Sequence, residues 1–277
     1  MSDDSPGLLA RFDTDHPLVG MVHLPPLPGA PGFDGDRAAI SERALADAET
    51  LAAGGVDAVL VENFGDAPFY PDAVPPHVVA DLTALAAAVT DAVDCPVGIN
   101  VLRNDAAAAL SVASAVGGSF VRVNVHTASA ATDQGLVHGR AHETLRLRET
   151  LAADVSILAD VHVKHATPIG GRSLETAVRE TVARGLADGV VVSGPGTGEE
   201  TALTDLRRVV ETVAALERPV PVFVGSGVTP DRLGAVFDAG ADGVIVGSAL
   251  ERGGVAGNPV VSERVESLVR ARRAWLD

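Results

Sequence analysis

Phe120-Val121-Arg122-Val123-Asn124-Val125-His126 alternates apolar and polar side chains along its whole length. In a strand, neighbouring side chains face opposite sides, so Val121, Val123 and Val125 share one face and Arg122, Asn124 and His126 the other. A second stretch repeats the pattern: Asp160, His162 and Lys164 lie opposite Ala159, Val161 and Val163. Working outward, similar β-rich runs recur at Leu18–Leu24, Ala58–Glu62, Val97–Val101, Phe120–His126, Ser156–Lys164, Gly189–Ser193, Val220–Gly225 and Val244–Gly247. Between them lie segments of helical period, among them Ala38–Ala53, Val78–Val93, Leu174–Leu186, Leu203–Leu216 and Val260–Trp275. Strands alternating with helices imply right-handed βαβ units and a parallel sheet. Eight such units in 277 residues imply closure into an α/β (β/α)8 TIM barrel. The first run leads into Pro25-Pro26-Leu27-Pro28-Gly29, which cannot start the helix of a dinucleotide turn. The expected organisation is a loosely packed lead-in over residues 1–16 and one barrel domain over 17–277.

In a parallel barrel the outer face packs on helices, so the valines go outward and the polar sets point into the barrel. By the same period, His23, Glu62 and Asn100 fall at the inner ends of the first three runs. Barrel interiors are usually apolar, and unpartnered buried charge is expensive. Arg122, Asp160, Glu62, Lys164 and histidines at the mouth therefore point to a site. Lys164, Asp160, Glu62, His23 and His162 are the candidate catalytic residues. Asn100, Arg122, Asn124 and His126 are candidate substrate ligands. Each also has a structural reading: Asp160 as the ion-pair partner of Arg122 or Lys164, His23 as a satisfied core histidine, His126 and His165 as solvent-facing. Glu62, Asp160, His162 and His126 are candidate ligands for a divalent metal, although no spacing motif supports one. No cofactor is certain.

The seventh run ends in Gly225-Ser226-Gly227 before Thr229-Pro230, and the eighth in Gly247-Ser248-Ala249. Glycines there let backbone N–H groups and a helix N-terminus gather on one anion. The last two strand-to-helix turns are the recurrent phosphate site of such barrels. Ser193-Gly194-Pro195-Gly196-Thr197-Gly198 is read as a third edge of the cup. Thr127–Gly135 is long and small enough to be a lid or an irregular loop.

The net charge of −16 argues against nucleic acid and anionic lipid as partners. Among the 21 basic residues only Lys164 is a lysine. That bias fits a salt-loving, halophilic source and makes the one retained lysine conspicuous. No run of about 18 apolar residues suggests membrane insertion. Met1–Gly7 lacks the basic start of a secretory signal. The single Cys95 excludes an intrachain disulfide and fits a reducing cytoplasm. Barrels often self-associate, so a homo-oligomer is expected without a fixed number.

With these residues in view, the chain resembles the BtpA/SgcQ family. The resemblance runs from Val19 to Leu250. It rests on Gly20-Met21-Val22-His23-Leu24-Pro25-Pro26-Leu27-Pro28-Gly29, Glu62-Asn63-Phe64-Gly65-Asp66-Ala67-Pro68-Phe69 and Gly98-Ile99-Asn100-Val101-Leu102-Arg103-Asn104-Asp105. It continues through Val121–Asn124, Asp160–His165, Ser193-Gly194 and Thr197-Gly198. The resemblance implies a TIM barrel of the ribulose-phosphate-binding class. It also implies two roles, photosystem I biogenesis and, in the branch beside sugar-uptake genes, sugar metabolism; it supplies no catalytic roles.

Three functions are weighed. The first is an enzyme acting on a phosphorylated sugar or related small metabolite, by isomerase, epimerase, aldolase or lyase chemistry. The second is a non-catalytic assembly factor for a membrane complex, which requires an exposed apolar patch and tolerates loss of Lys164 and Asp160. The third is a phosphometabolite-binding regulator without turnover.

Overall fold

The order of strands and helices follows the alternation of the sequence. A computed structural model describes residues 7–194 and 196–277. Strands β1 (Leu18–His23), β2 (Ala58–Glu62), β3 (Val97–Asn100) and β4 (Phe120–Val123) are separated by helices α1 (Arg37–Gly54), α2 (Pro76–Ala92) and α3 (Ala106–Val116). A hairpin of β5 (Ser129–Thr132) and β6 (Gly135–His138) precedes α4 (Ala141–Thr150) and β7 (Ser156–Val161). Short strand β8 (Ala166–Pro168) leads to α5 (Leu174–Arg179), then β9 (Gly189–Val192), α6 (Leu203–Ala214), β10 (Val222–Val224), α7 (Pro230–Asp238), β11 (Gly243–Val246) and α8 (Ser262–Leu276). The barrel closes in the order β1-β11-β10-β9-β7-β4-β3-β2, every neighbouring pair parallel.

Local chemistry sets the helix limits. The Asp36 and Asp105 carboxylates accept the Ala39 and Ala108 amides and cap α1 and α3. Gly55 and Gly117 end them in the left-handed conformation that costs a glycine little. The helix expected over Leu174–Leu186 divides, with a π-helical turn at Glu180–Arg184 following α5.

The alternation holds on both faces. Val22, Val59, Val61, Ile99, Val121, Val123, Ile157, Val161, Val190, Val224 and Val246 face outward in one continuous core with the helices. Inside, Val19, Met21, Ala58, Leu60, Phe120, Leu158, Val191, Phe223 and Ile245 fill the lower barrel. Register then lays His23 beside Glu62, Glu62 beside Asn100 and Asn100 beside Arg122, one polar row above the apolar layers.

Two expectations change. The part of the lead-in that is described, residues 7–16, is not loose: Leu8 and Phe12 are buried in the inner core. Phe12 meets Phe120 edge-on at 6.0 Å and Phe223 at 6.2 Å, closing the barrel floor. Residues 1–6 of that segment lie outside the described residues. Thr127–Gly135 is not a plain loop, because β5 pairs with both β6 and β8 in an antiparallel sheet. Its inner face, Ala130 and Val137, packs on Val125 and Val163 beside the mouth.

Phe12→Ala is expected to lower stability by about 3–5 kcal/mol. Denaturant unfolding measures the effect. Unchanged stability would show that the plug contributes nothing.

Candidate active site

The polar row is held by an ion pair inside the barrel. Arg122 Nη2 lies 2.9 Å and 3.2 Å from the two Asp160 oxygens, with Nε 3.2 Å from Oδ1. Their side chains are 2% and 0% exposed. Asn124 Nδ2 donates to Asp160 Oδ2 at 2.7 Å, and Asn100 Nδ2 donates to the Arg122 carbonyl at 3.0 Å and to Asn124 Oδ1 at 3.2 Å. Asp160 points inward as expected, but with three nitrogens on its oxygens it is committed to orienting Arg122 rather than free for acid–base work. Burial is the largest single influence on the Arg122 guanidinium and lowers its pKa, but attraction to Asp160 and Glu62 and the Asp160 hydrogen bonds together outweigh it, so the pKa lies above its ordinary value.

Three side chains at the mouth keep polar atoms free of protein partners among the described residues. The Glu62 carboxylate makes no hydrogen bond among the described residues; its Oε1 lies 3.7 Å from His23 Nε2. His23 Nδ1 lies 2.6 Å from Glu251 Oε1, and the ring packs on Phe64 at 4.4 Å. Lys164 has neither a hydrogen bond nor an ion pair among the described residues. Burial first, then the Arg122 guanidinium, pushes its ammonium below the ordinary lysine value, while Glu62 and Asp160 oppose the shift.

His23, Glu62, Arg122 and Lys164 share one cavity of about 360 Å³ with Gly225, Ser226, Gly227, Gly247 and Ser248. Backbone amides of Gly227, Val228, Gly247 and Ser248 have no hydrogen-bond partner among the described residues. Gly227 has φ +67°, and a Cβ there would lie 2.4 Å from the Glu200 Cα. At Gly247 a Cβ would lie 2.7 Å from His23 Cε1, so the last turn rests directly on that imidazole. Thr197 and Gly198 line the same cavity.

Several expected residues lie elsewhere. β4 ends at Val123, and His126 Nε2 meets the Gly185 carbonyl at 2.8 Å, behind the barrel wall; burial lowers its pKa. β7 ends at Val161, and His162 has φ +54°, which breaks the alternation. His162 lines a side cavity with Leu174, Asp205 and Arg208, between α5 and α6. Lys164 nonetheless lines the mouth cavity, between left-handed residues at His162 and His165, the latter with φ +56°. The four proposed metal ligands therefore do not converge, and no cluster of three or more such side chains occurs among the described residues. Ser193 and Gly194 do not line the cup. The Gly194 amide donates to Ser226 Oγ at 2.7 Å, and Ser226 Oγ donates to the Glu199 carbonyl at 3.0 Å. The Ser226 hydroxyl is thus committed to protein and offers a ligand nothing. Pro195 lies outside the described residues.

Sequence reasoning missed Glu251 and Arg264. Glu251 is 1% exposed yet sits after the last barrel turn, where no periodicity marks it. Arg264, in the first turn of α8, lines the cup and donates to the Ala249 carbonyl at 3.0 Å.

The fold and this cavity define a TIM-type barrel whose mouth sets titratable side chains beside two glycine-bearing turns. The sequence profile described as "BtpA family" matches residues 14–274. The chain is 48% identical over 264 residues to the photosystem I biogenesis protein BtpA of Synechocystis, covering 95% of this chain and 90% of that one. It is 46% identical over 260 residues to an uncharacterized protein of Pyrococcus furiosus, covering 94% and 96%. The chain belongs to the BtpA family. In fold it is similar to the thiamine phosphate pyrophosphorylase of Pyrococcus furiosus, with a TM-score of 0.60 at 17% identity over 97% and 100% of the two chains. Among the described residues no helix is long and apolar enough to cross a membrane.

Arg122→Met is expected to cost about 3–5 kcal/mol, because it leaves the Asp160 carboxylate buried and unpaired. Pairing it with Asp160→Leu should recover much of that loss, as urea unfolding of both variants would show. Lys164→Met should stabilise the protein at neutral pH by about 1 kcal/mol. The depressed lysine is a cost below its folded pKa, relieved as pH rises toward the unfolded value of about 10.4. The gain should therefore shrink in alkaline buffer; a destabilised variant at pH 7 would contradict it.

Proposed function

We propose that this protein is an enzyme acting on a phosphorylated sugar or related small metabolite, by proton-transfer chemistry of the isomerase, epimerase, aldolase or lyase kind. The observation that carries this reading is the single cavity lined both by Gly227, Val228, Gly247 and Ser248, whose amides have no partner among the described residues, and by Glu62, His23 and Lys164. Amides at two turns, with Arg264 at the rim, suit a phosphate group. Anchoring that group holds the carbons of the substrate against the acid–base row, where binding energy lowers the barrier to reaction. Glu62 is the unbonded carboxylate and His23, with Nε2 free, the imidazole for moving protons. Lys164 supplies either a cation for a developing oxyanion or, deprotonated, a nucleophile for a carbonyl. Arg122 contributes a fixed charge oriented by Asp160, and Asn100 Oδ1, buried without a partner, offers an acceptor to a substrate hydroxyl.

The name of the Synechocystis relative favours a second reading, a role in building a membrane complex. The two readings part at the mouth. An assembly scaffold tolerates Glu62→Gln and Lys164→Met, whereas an enzyme loses its activity with the fold intact.

The direct test is a thermal-shift and calorimetric screen of inorganic phosphate and sugar phosphates. Stabilisation by phosphate is expected, weakened about tenfold or more in Arg264→Ala through loss of a charge-assisted hydrogen bond. No response to any phosphate compound would overturn the reading.

A further inference from the structure

Glu251 lies behind His23, away from the cavity. It stands between two short 3-10 turns, Ser248–Leu250 and Arg252–Gly254, with its strand bridge to Val260 fixing the backbone. Its two oxygens receive different partners. Oε2 accepts the Gly257 backbone N–H at 3.0 Å, and Oε1 lies 2.6 Å from His23 Nδ1. An ionised carboxylate can only accept, so Nδ1 carries a proton and the lone pair of the neutral ring is left on Nε2. Nε2 is then 3.7 Å from Glu62 Oε1, too long for a hydrogen bond and wide enough for a substrate proton to be passed to either acceptor. Phe64 stacked on one side and the Gly247 turn against Cε1 prevent the ring from rotating away.

We infer that Glu251 is the positioning residue that fixes the tautomer of His23, making Nε2 the base that takes a proton from the substrate next to the phosphate cup. This rests on the proposed function. In the step, the substrate proton passes to Nε2 while its bonding electrons stay on the substrate. The imidazolium so formed is stabilised by Glu251 and returns the same proton at another substrate atom, so nothing is oxidised or reduced. Because Gly247 touches His23 itself, the proton handled lies within a few bonds of the phosphate ester.

The geometry makes Glu251→Gln diagnostic. A carboxamide oxygen that keeps the Gly257 N–H turns its NH2 toward Nδ1, where two donors cannot face each other. His23 must then move its proton to Nε2 and lose its function as a base. Long-range nitrogen–proton NMR of the imidazoles in the full-length protein, with His23 identified by loss of its signals in His23→Asn, reads this directly. Wild type should show a protonated Nδ1 and bare Nε2 at pH 8, and Glu251→Gln the reverse. The variant should bind inorganic phosphate within about twofold of wild type, and turnover of a responsive sugar phosphate should fall about a hundredfold or more with KM little changed. A wild-type ring protonated at Nε2 overturns the inference without any variant, as does an unchanged tautomer in Glu251→Gln. Failure of wild type to bind phosphate counts instead against the proposed function.

Discussion

An arginine and an aspartate bonded to each other inside a barrel organise everything above them. The Arg122–Asp160 pair spans β4 and β7, is closed to solvent, and takes a further hydrogen bond on Asp160 from Asn124, which Asn100 in turn holds. Such a pair is a poor way to gain stability, since apolar residues of similar volume pack as well or better. Its effect here is geometric. It ties two neighbouring strands together at the level of the mouth, neutralises one carboxylate, and leaves Glu62, His23 and Lys164 as the groups with unmet chemistry. Below it the barrel is an ordinary apolar core floored by Leu8 and Phe12.

The second constraint is the closeness of the cup to the acid–base row. Gly247 rests on His23, and Glu251 follows the same turn three residues after Ser248. The segment that would hold the phosphate is thus the segment that orients the imidazole. A change in the turn is expected to disturb both binding and proton transfer, which couples the last strand to the first across the barrel seam.

Much of this was legible from period two alone. Arg122, Asn124 and Asp160 turn inward because the valines between them must pack on helices, and His23, Glu62 and Asn100 follow the same rule. The period misled where strands ended early. His126 and His162 continue the alternation on paper, but β4 stops at Val123 and β7 at Val161, and a left-handed residue at His162 reverses the pattern. Nothing in a valine-alternating run announces such a break. Ser226 lies in the Gly-Ser-Gly turn assigned to an anion, yet its hydroxyl ties down the neighbouring glycine-rich loop. Glu251 carried no signal at all: its meaning comes from a contact 228 positions away with His23. The hairpin of β5 and β6 hid in a run of alanine, serine and threonine that reads as a loop.

The central claim is that free amides at Gly227, Val228, Gly247 and Ser248 gather an oxyanion over charged strand ends. A crystal soaked in tungstate, a heavy tetrahedral oxyanion, tests it most directly through anomalous scattering. One strong peak is expected within hydrogen-bonding reach of those amides and the Arg264 guanidinium, lost when phosphate is added in excess. Tungstate bound only elsewhere, or nowhere, would contradict it.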